Sequence, residues 1–167
     1  MNILYVTDCK GIDYPIDLDK PCDIICDIDG TIADNSHRTH FIQEHPKNWK
    51  AFNAGYLDDE PISDILDKLR LLYIYDFRII YLSGREKTYS GFNLTELWLT
   101  WFAPYGKLYM RPEGDYRCDS TVKYELYQKV IQDGFEPKYV FDDRNKVVDM
   151  WKEKTDLTVI QTAEGDF

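Results

Sequence analysis

The stretch Cys26-Asp27-Ile28-Asp29-Gly30-Thr31 closes an apolar run with two carboxylates two residues apart, followed by a glycine and a hydroxyl. Placed just beyond a buried strand, this spacing makes a compact site for a metal ion and a phosphoryl group. Gly30 lets the backbone turn sharply, and Thr31 offers a hydroxyl and an amide to phosphate oxygens. On charge alone, Asp27 suits attack on phosphorus with formation of an aspartyl-phosphate. Asp29 suits protonation of the leaving alkoxide and then activation of water. A carboxylate that approaches a phosphate dianion is repelled unless a cation stands between them, so the rest of the chain must supply a metal site.

Two further predicted strands end in residues suited to the same reaction, Ser83-Gly84-Arg85 and Asp142-Asp143-Arg144. In an open parallel sheet, ligands bind in the crevice beyond the carboxyl ends of the strands. Asp27, Asp29, Asp142 and Asp143 are the candidate ligands for Mg²⁺, a hard ion that prefers oxygen donors. Ser83 can donate a hydrogen bond to a phosphate oxygen, with Gly84 and Arg85 beside it. Lys123 adds a point charge near the positive end of a helix. Each signal is weak alone, since a lone Asp-x-Asp is often a turn or a solvated pair. Their common placement at strand ends gives the combination its weight.

The elements that must position these groups follow from periodicity. Short β-branched runs alternate with amphipathic stretches, the pattern of an α/β fold with a central parallel sheet flanked by helices. Strands are expected at Ile3–Val6, Asp23–Ile28, Arg78–Leu82, Lys107–Met110, Lys138–Phe141 and Leu157–Gln161. Ile62, Ile65, Leu66, Leu69 and Tyr73 share one helical face after Pro61, and Leu94, Leu97, Trp98, Trp101 and Phe102 share another, ended by Pro104 and Gly106. A third helix, capped by Ser120 or Thr121, carries Leu126, Tyr127, Val130 and Ile131, with Gly134 beyond its end. A fourth runs from about Lys146 to Lys154 on Val147, Met150 and Trp151. Residues 35–59 are less regular and read as a small helical cap or flap over the strand ends. They contain His37, His40 and His45, read as surface or packing residues rather than metal ligands.

At 167 residues the chain suits one domain with a full core. It has no apolar run of the length of a membrane span and no signal-peptide pattern at its start, so a cytoplasmic location is expected (host cytoplasm for a phage-encoded chain). Cys9, Cys22, Cys26 and Cys118 show neither a CxxC pair nor zinc spacing and read as reduced thiols. The net charge of −10 argues against wrapping along a nucleic-acid duplex, where affinity comes from neutralised phosphates. Either the substrate is small, or only a chain end enters a local basic pocket.

Asp27-Ile28-Asp29-Gly30-Thr31, Ser83, Lys123 and Asp142-Asp143 resemble the four motifs of the haloacid dehalogenase superfamily of phosphohydrolases. That resemblance implies a three-layer Rossmann-like fold. Longer runs resemble the 3′-phosphatase domain of phage polynucleotide kinase–phosphatases: Ser83–Glu86, Arg111–Asp119, Val122-Lys123, Asp142–Arg144, Val147–Trp151 and the terminal Gly165-Asp166-Phe167. The resemblance covers about residues 21–167. It implies Asp27 as nucleophile, Asp29 as acid and base, and Asp142 and Asp143 as metal-site acids. It also implies phosphatase roles for Arg38, Arg85 and Arg111, and for Asp119 with Lys123. Asp119 is expected to orient Lys123 or an arginine. Arg117 joins the phosphate-binding candidates, although Arg38 and Arg117 could equally be solvated surface charges.

The chain lacks a GxxxxGK[ST] loop, so neither a 5′-kinase half nor ATP is expected. Residues 1–20 fall outside the resemblance, and Ile3–Val6 is a candidate edge strand of the sheet. The expected substrates are 3′-phosphorylated DNA or RNA ends, with free nucleotides or another small phosphate ester as the alternative. A phospho-accepting receiver domain fits less well, because it lacks an acid two residues after its phosphorylated aspartate. A non-catalytic end-binding module would have lost the nucleophile or the metal acids, and all are present. Oligomeric state is left open by the sequence.

Overall fold

A computed structural model describes residues 1–165; the Asp166-Phe167 end of the terminal motif lies outside the described residues. Strands β1 (Ile3–Thr7) and β2 (Asp13–Asp17) come first, then β3 (Asp23–Cys26) and the two-residue β4 (Ala33–Asp34). Short helices α1 (His40–Gln43) and α2 (Trp49–Ala54) follow, with 3₁₀ turns on either side, and β5 (Glu60–Pro61) pairs back with β4. The remainder alternates: α3 (Ser63–Ile74), β6 (Arg78–Glu86), α4 (Tyr89–Phe102), β7 (Gly106–Arg111), α5 (Asp119–Gln132), β8 (Pro137–Asp142), α6 (Asn145–Lys154) and β9 (Thr158–Gln161).

Five strands form one parallel sheet in the order β7-β6-β3-β8-β9, with β3 at its centre. All four residues of β3 are buried, and side-chain alternation splits the core in two. Ile24, Ile79, Tyr81 and Phe141 face α3 and α4, where they meet Leu66, Leu69, Leu72 and Trp98. Ile25, Ile80, Leu82 and Val140 face α5 and α6, where they meet Leu126, Val130, Val148 and Trp151. Helices thus cover both faces of the sheet, the three-layer arrangement that a fully buried parallel sheet requires.

The N-terminal strand does not extend this sheet. β1 pairs antiparallel with β2 in a separate hairpin, from Ile3 opposite Asp17 to Thr7 opposite Asp13. The Asp8 carboxylate accepts from the Lys10 and Ile12 amides, and Gly11 takes φ +80°, which turns the chain tightly enough for β2 to claim β1 locally. Val6 and Ile16 then pack into the α3–α4 side of the core.

The helix expectations need three adjustments. Pro61 is taken by the β4–β5 bridge, so α3 starts at Ser63. Cys118, rather than Ser120 or Thr121, is the N-cap position of α5, because Asp119 already occupies its first turn. Tyr73, Leu97, Trp101 and Ile131, assigned to apolar stripes, are exposed. A two-layer cover needs only the narrow inner part of each stripe.

Candidate active site

The turn after β3 is fixed by backbone bonds. The Asp27 amide donates to the Phe141 carbonyl at 2.9 Å, and the Thr31, Ile32 and Ala33 amides converge on the Ile28 carbonyl. Gly30 adopts φ +83°, a region L side chains avoid. The turn returns Thr31 beneath Asp27, and its hydroxyl donates to Asp27 Oδ2 at 3.3 Å. Thr31 is completely buried, so its hydroxyl positions the Asp27 carboxylate.

Asp27, Asp142 and Asp143 come together at the carboxyl ends of adjacent strands, each offering an oxygen within 4.8 Å of the others. All three are buried. Burial first, then the neighbouring carboxylates, raise Asp27 well above the usual carboxylate range and push Asp143 up to about 6. Lys123 is the buried cation among them. Its ammonium donates to Asp142 Oδ2 at 2.9 Å and stands 2.8 Å from Asp27 Oδ1. Burial would loosen the lysine proton, but Asp142, Asp27 and Asp119 outweigh it and hold the group well above its ordinary value.

Three carboxylates against one ammonium leave the pocket short of positive charge. Asp142 Oδ1, moreover, is buried with no hydrogen-bond partner among the described residues, while Oδ2 is shared by Lys123 and the Trp151 indole N–H. Gly30 leaves a cradle that Asp143 fills, since a Cβ there would stand 2.1 Å from Asp143 Oδ2. An orphaned carboxylate oxygen, an all-oxygen donor set and the charge deficit together fit a divalent metal.

The Asp29 carboxylate is directed elsewhere. Its Oδ1 accepts from Arg38 Nη2 and Arg85 Nη2, both at 2.7 Å, and its Oδ2 accepts from Arg85 Nε at 2.9 Å. Burial would raise its pKa, but Arg85 and then Arg38 overcome that and hold it at about 2. Its expected place among the metal acids is therefore not the one its side chain takes: the cluster is Asp27, Asp142 and Asp143. A chelating geometry to two guanidiniums satisfies Asp29 better than a share of an acidic site.

Both arginines are buried, and a second carboxylate holds them. Asp59, which follows the 3₁₀ turn Tyr56–Asp58, accepts from Arg38 Nε at 2.6 Å and Nη2 at 2.7 Å, and from Arg85 Nη2 at 2.8 Å. The rings of Phe52 and Tyr56 lie 4.1 and 4.7 Å from the Arg38 guanidinium, and Tyr56 also lies 4.1 Å from that of Arg85. Thr95 of α4 accepts from Arg85 Nη1. His37 meets Asp59 at 2.9 Å, a packing role consistent with the reading of the histidines.

On the β7 side, Arg111 acts as a tie. It donates to the Gly84, Asp115 and Arg117 carbonyls and to Asp119 Oδ1 at 3.0 Å. Asp119 Oδ2 stands 3.6 Å from Lys123 and 3.5 Å from Arg144, so Asp119 lies among the lysine and two arginines. Gly84 makes room for it, since a Cβ there would meet Asp119 Oδ1 at 2.4 Å. Ser83 is fully buried at the end of β6, its hydroxyl accepting from the Arg85 amide.

Residues 21–167 match the polynucleotide kinase PNKP phosphatase domain. The chain belongs to the PNKP phosphatase-domain family. A protein of Autographa californica nuclear polyhedrosis virus, named as a bifunctional polynucleotide kinase/RNA ligase, is 28% identical over 146 residues, covering 86% of this chain and 20% of its own length. A chain in the structure of a Pnkp1/Rnl/Hen1 complex is 32% identical with a TM-score of 0.72, covering 90% of this chain and 48% of that one. The chain thus spans less than half the length of these two relatives. A class C acid phosphatase from Bacillus anthracis shares the fold at 17% identity and a TM-score of 0.62, over 86% of this chain and 67% of its own.

Membership in the PNKP phosphatase family implies phosphohydrolase activity and sorts the sequence candidates. Asp27, Asp29, Thr31, Arg38, Ser83, Gly84, Arg85, Arg111, Asp119, Lys123, Asp142 and Asp143 lie in one continuous network. Arg117 does not join it through its side chain, which is 52% exposed and held by Asp115 and Glu125, both at 2.7 Å. Only its carbonyl reaches Arg111. In this PNKP phosphatase domain, Asp59, Tyr56 and Thr95 take part without having been singled out. Arg144, named in the sequence only within the run Asp142-Asp143-Arg144, takes part through Asp119. Among the described residues no helix is long and apolar enough to cross a membrane.

Proposed function

We propose that this domain is a Mg²⁺-dependent phosphomonoesterase that removes 3′-phosphates from polynucleotide ends, RNA ends among them, through an aspartyl-phosphate on Asp27. The observation that carries this reading is the buried Asp27–Lys123–Asp142 contact set beside the Arg38–Asp29–Arg85 group, in a chain that matches the PNKP phosphatase domain. Two of the structural relatives come from RNA repair assemblies, which favours RNA ends and a working association with other end-processing activities.

Asp27 Oδ attacks phosphorus, and the P–O bond to the sugar breaks. Lys123 aims Asp27 and opposes the burial that favours its neutral form, while Thr31 limits its rotation. A divalent ion held by Asp27, Asp142 and Asp143 would neutralise the phosphate oxygens. Ser83 and the guanidiniums supply donors to the same oxygens. Asp29 rests as a carboxylate. As a base it takes a proton from the water that cleaves the aspartyl-phosphate, returning Asp27 and inorganic phosphate. In the first step it protonates the leaving sugar oxygen, with a proton taken from solvent once phosphate oxygens compete for Arg38 and Arg85.

The acidic surface favours a second reading, a phosphatase of free nucleotides. One comparison separates the two: phosphate release from a 3′-phosphorylated oligonucleotide, a 5′-phosphorylated one, and free 3′- and 5′-mononucleotides. Preference for the first, abolished in Asp27→Asn, supports the proposal. Preference for mononucleotides overturns it.

A further inference from the structure

Five of the exposed aromatic side chains divide according to the edge of the sheet they occupy. Tyr73, Trp101 and Tyr105 stand at the C-terminal ends of α3 and α4 or just before β7, at the amino edge of the sheet. Tyr89 and Tyr116 stand just after β6 and β7, at the carboxyl edge where Asp27 lies. They are 89% and 86% exposed, and among the described residues no side-chain hydrogen bond or ring contact holds either one.

Arg111 ties both to the site. Its carbonyl accepts from the Lys87 amide at 2.7 Å, two residues before Tyr89 begins α4. Its guanidinium grips the carbonyls of Asp115 and Arg117 at 2.9 and 2.8 Å, the two residues on either side of Tyr116. The same guanidinium bonds Asp119, which reaches Lys123 and through it Asp27. The loop that presents Tyr116 is therefore tied to Arg111 on both sides of the tyrosine, at the carboxyl edge of the sheet. Asp115 and Glu125 neutralise Arg117 next to it.

The charge balance says what such tyrosines are for. A chain of net charge −10 cannot hold a strand chiefly by neutralising its phosphates. Stacking on aromatic faces is the grip that remains, because every base has a π-face and the contact does not need positive charge. Resting on the polynucleotide reading above, we propose that Tyr89 and Tyr116 form a base-stacking platform that receives the unpaired nucleotides leading to the 3′-phosphate. The substrate class this selects is a single-stranded 3′ end, of RNA or DNA.

The test is steady-state kinetics on a 3′-phosphorylated single-stranded oligonucleotide of about ten nucleotides, a length within the usual footprint of such platforms. In the full chain with Tyr89→Ala and Tyr116→Ala combined, KM rises about 10- to 100-fold, with the loss in KM rather than kcat. The double Phe variant keeps the wild-type KM, because stacking needs the ring and not the hydroxyl. Tyr105→Ala, at the opposite edge, leaves KM unchanged. An unaltered KM in the double Ala variant, a loss confined to kcat, or equal damage in the Phe variant overturns the platform. A wild-type protein that releases no phosphate from any strand overturns the polynucleotide reading itself, a result visible before any tyrosine is changed.

Discussion

The Asp143 carboxylate occupies the space in which a side chain at Gly30 would begin, with Oδ2 only 2.1 Å from the position of a Cβ. The turn that follows the two N-terminal aspartates and the acids that end β8 are thus shaped against each other. A methyl group at position 30 forces Asp143 away from Asp27 and Asp142.

Gly30→Ala should therefore act on the metal site more than on the fold. The positive φ costs about 1–2 kcal/mol for any L side chain. Displacing one acid should weaken metal binding about 10- to 100-fold, the size of effect seen when groups that support a metal site are disturbed. Titrating phosphatase activity with Mg²⁺ reads this as a raised metal requirement. An unchanged requirement would show that Asp143 relaxes without consequence.

Asp59 is the second carboxylate behind the arginine pair, and its side chain is fully buried. Asp59→Asn leaves Arg38 and Arg85 with Asp29 as their one ionised partner. Removing one member of a buried ionic group costs about 3–5 kcal/mol. The variant should show a correspondingly lower denaturation midpoint and a fall in kcat/KM, because both guanidiniums lose their second anchor. A variant as stable as wild type would mean that the arginines re-pair with solvent.

Much of this architecture was readable because the chemistry sits at the ends of strands in contiguous runs. Asp27-Ile28-Asp29, Ser83-Gly84-Arg85 and Asp142-Asp143 each interrupt an apolar stretch, and a parallel sheet necessarily brings such interruptions to one edge. Asp59 was not readable. It lies in an irregular segment, and its partners are 21 and 26 residues distant, so only burial reveals it. The N-terminal hairpin was missed for a different reason: a strand's pattern gives its faces but not its partner, and the Asp8–Ile12 turn decided the pairing.

Cys118 should be the most reactive of the four thiols. Hydrogen bonds from the Ser120 and Thr121 hydroxyls hold it at about 7, below the ordinary cysteine value, and it is exposed. Cys9 is also exposed, but burial and then Glu164 move it up, while burial takes Cys22 up to about 11 and raises the fully buried Cys26 well above its ordinary value. At pH 7.5 iodoacetamide should label Cys118 first, as peptide mapping would show. Replacing both hydroxyl donors by alanine should slow that labelling, because fewer thiolates form. Faster modification of Cys9 would contradict the assignment.

The acidic cluster makes a prediction in which stability and activity move in opposite directions. Asp143 is raised to about 6 in the folded protein, from an ordinary value of 3.8, chiefly by burial and by Asp142. An acid whose folded pKa lies above its unfolded pKa destabilises the fold as pH rises between the two values, and the penalty persists at higher pH. In metal-free protein the penalty accumulates between about pH 4 and pH 6, at about 1.4 kcal/mol per unit. Asp143→Asn removes a charge that folding disfavours, so in EDTA at pH 7.5 it should melt higher than wild type, with a gain in stability of up to about 3 kcal/mol. Adding Mg²⁺ should raise the melting temperature of wild type and shift the variant much less, because metal binding to the folded state offsets the repulsion only where the third acid remains. The same variant should lose phosphatase activity. Paired melting curves with EDTA and with Mg²⁺ check both parts. A variant that melts below wild type in EDTA would mean that Asp143 stabilises the fold through contacts other than the metal.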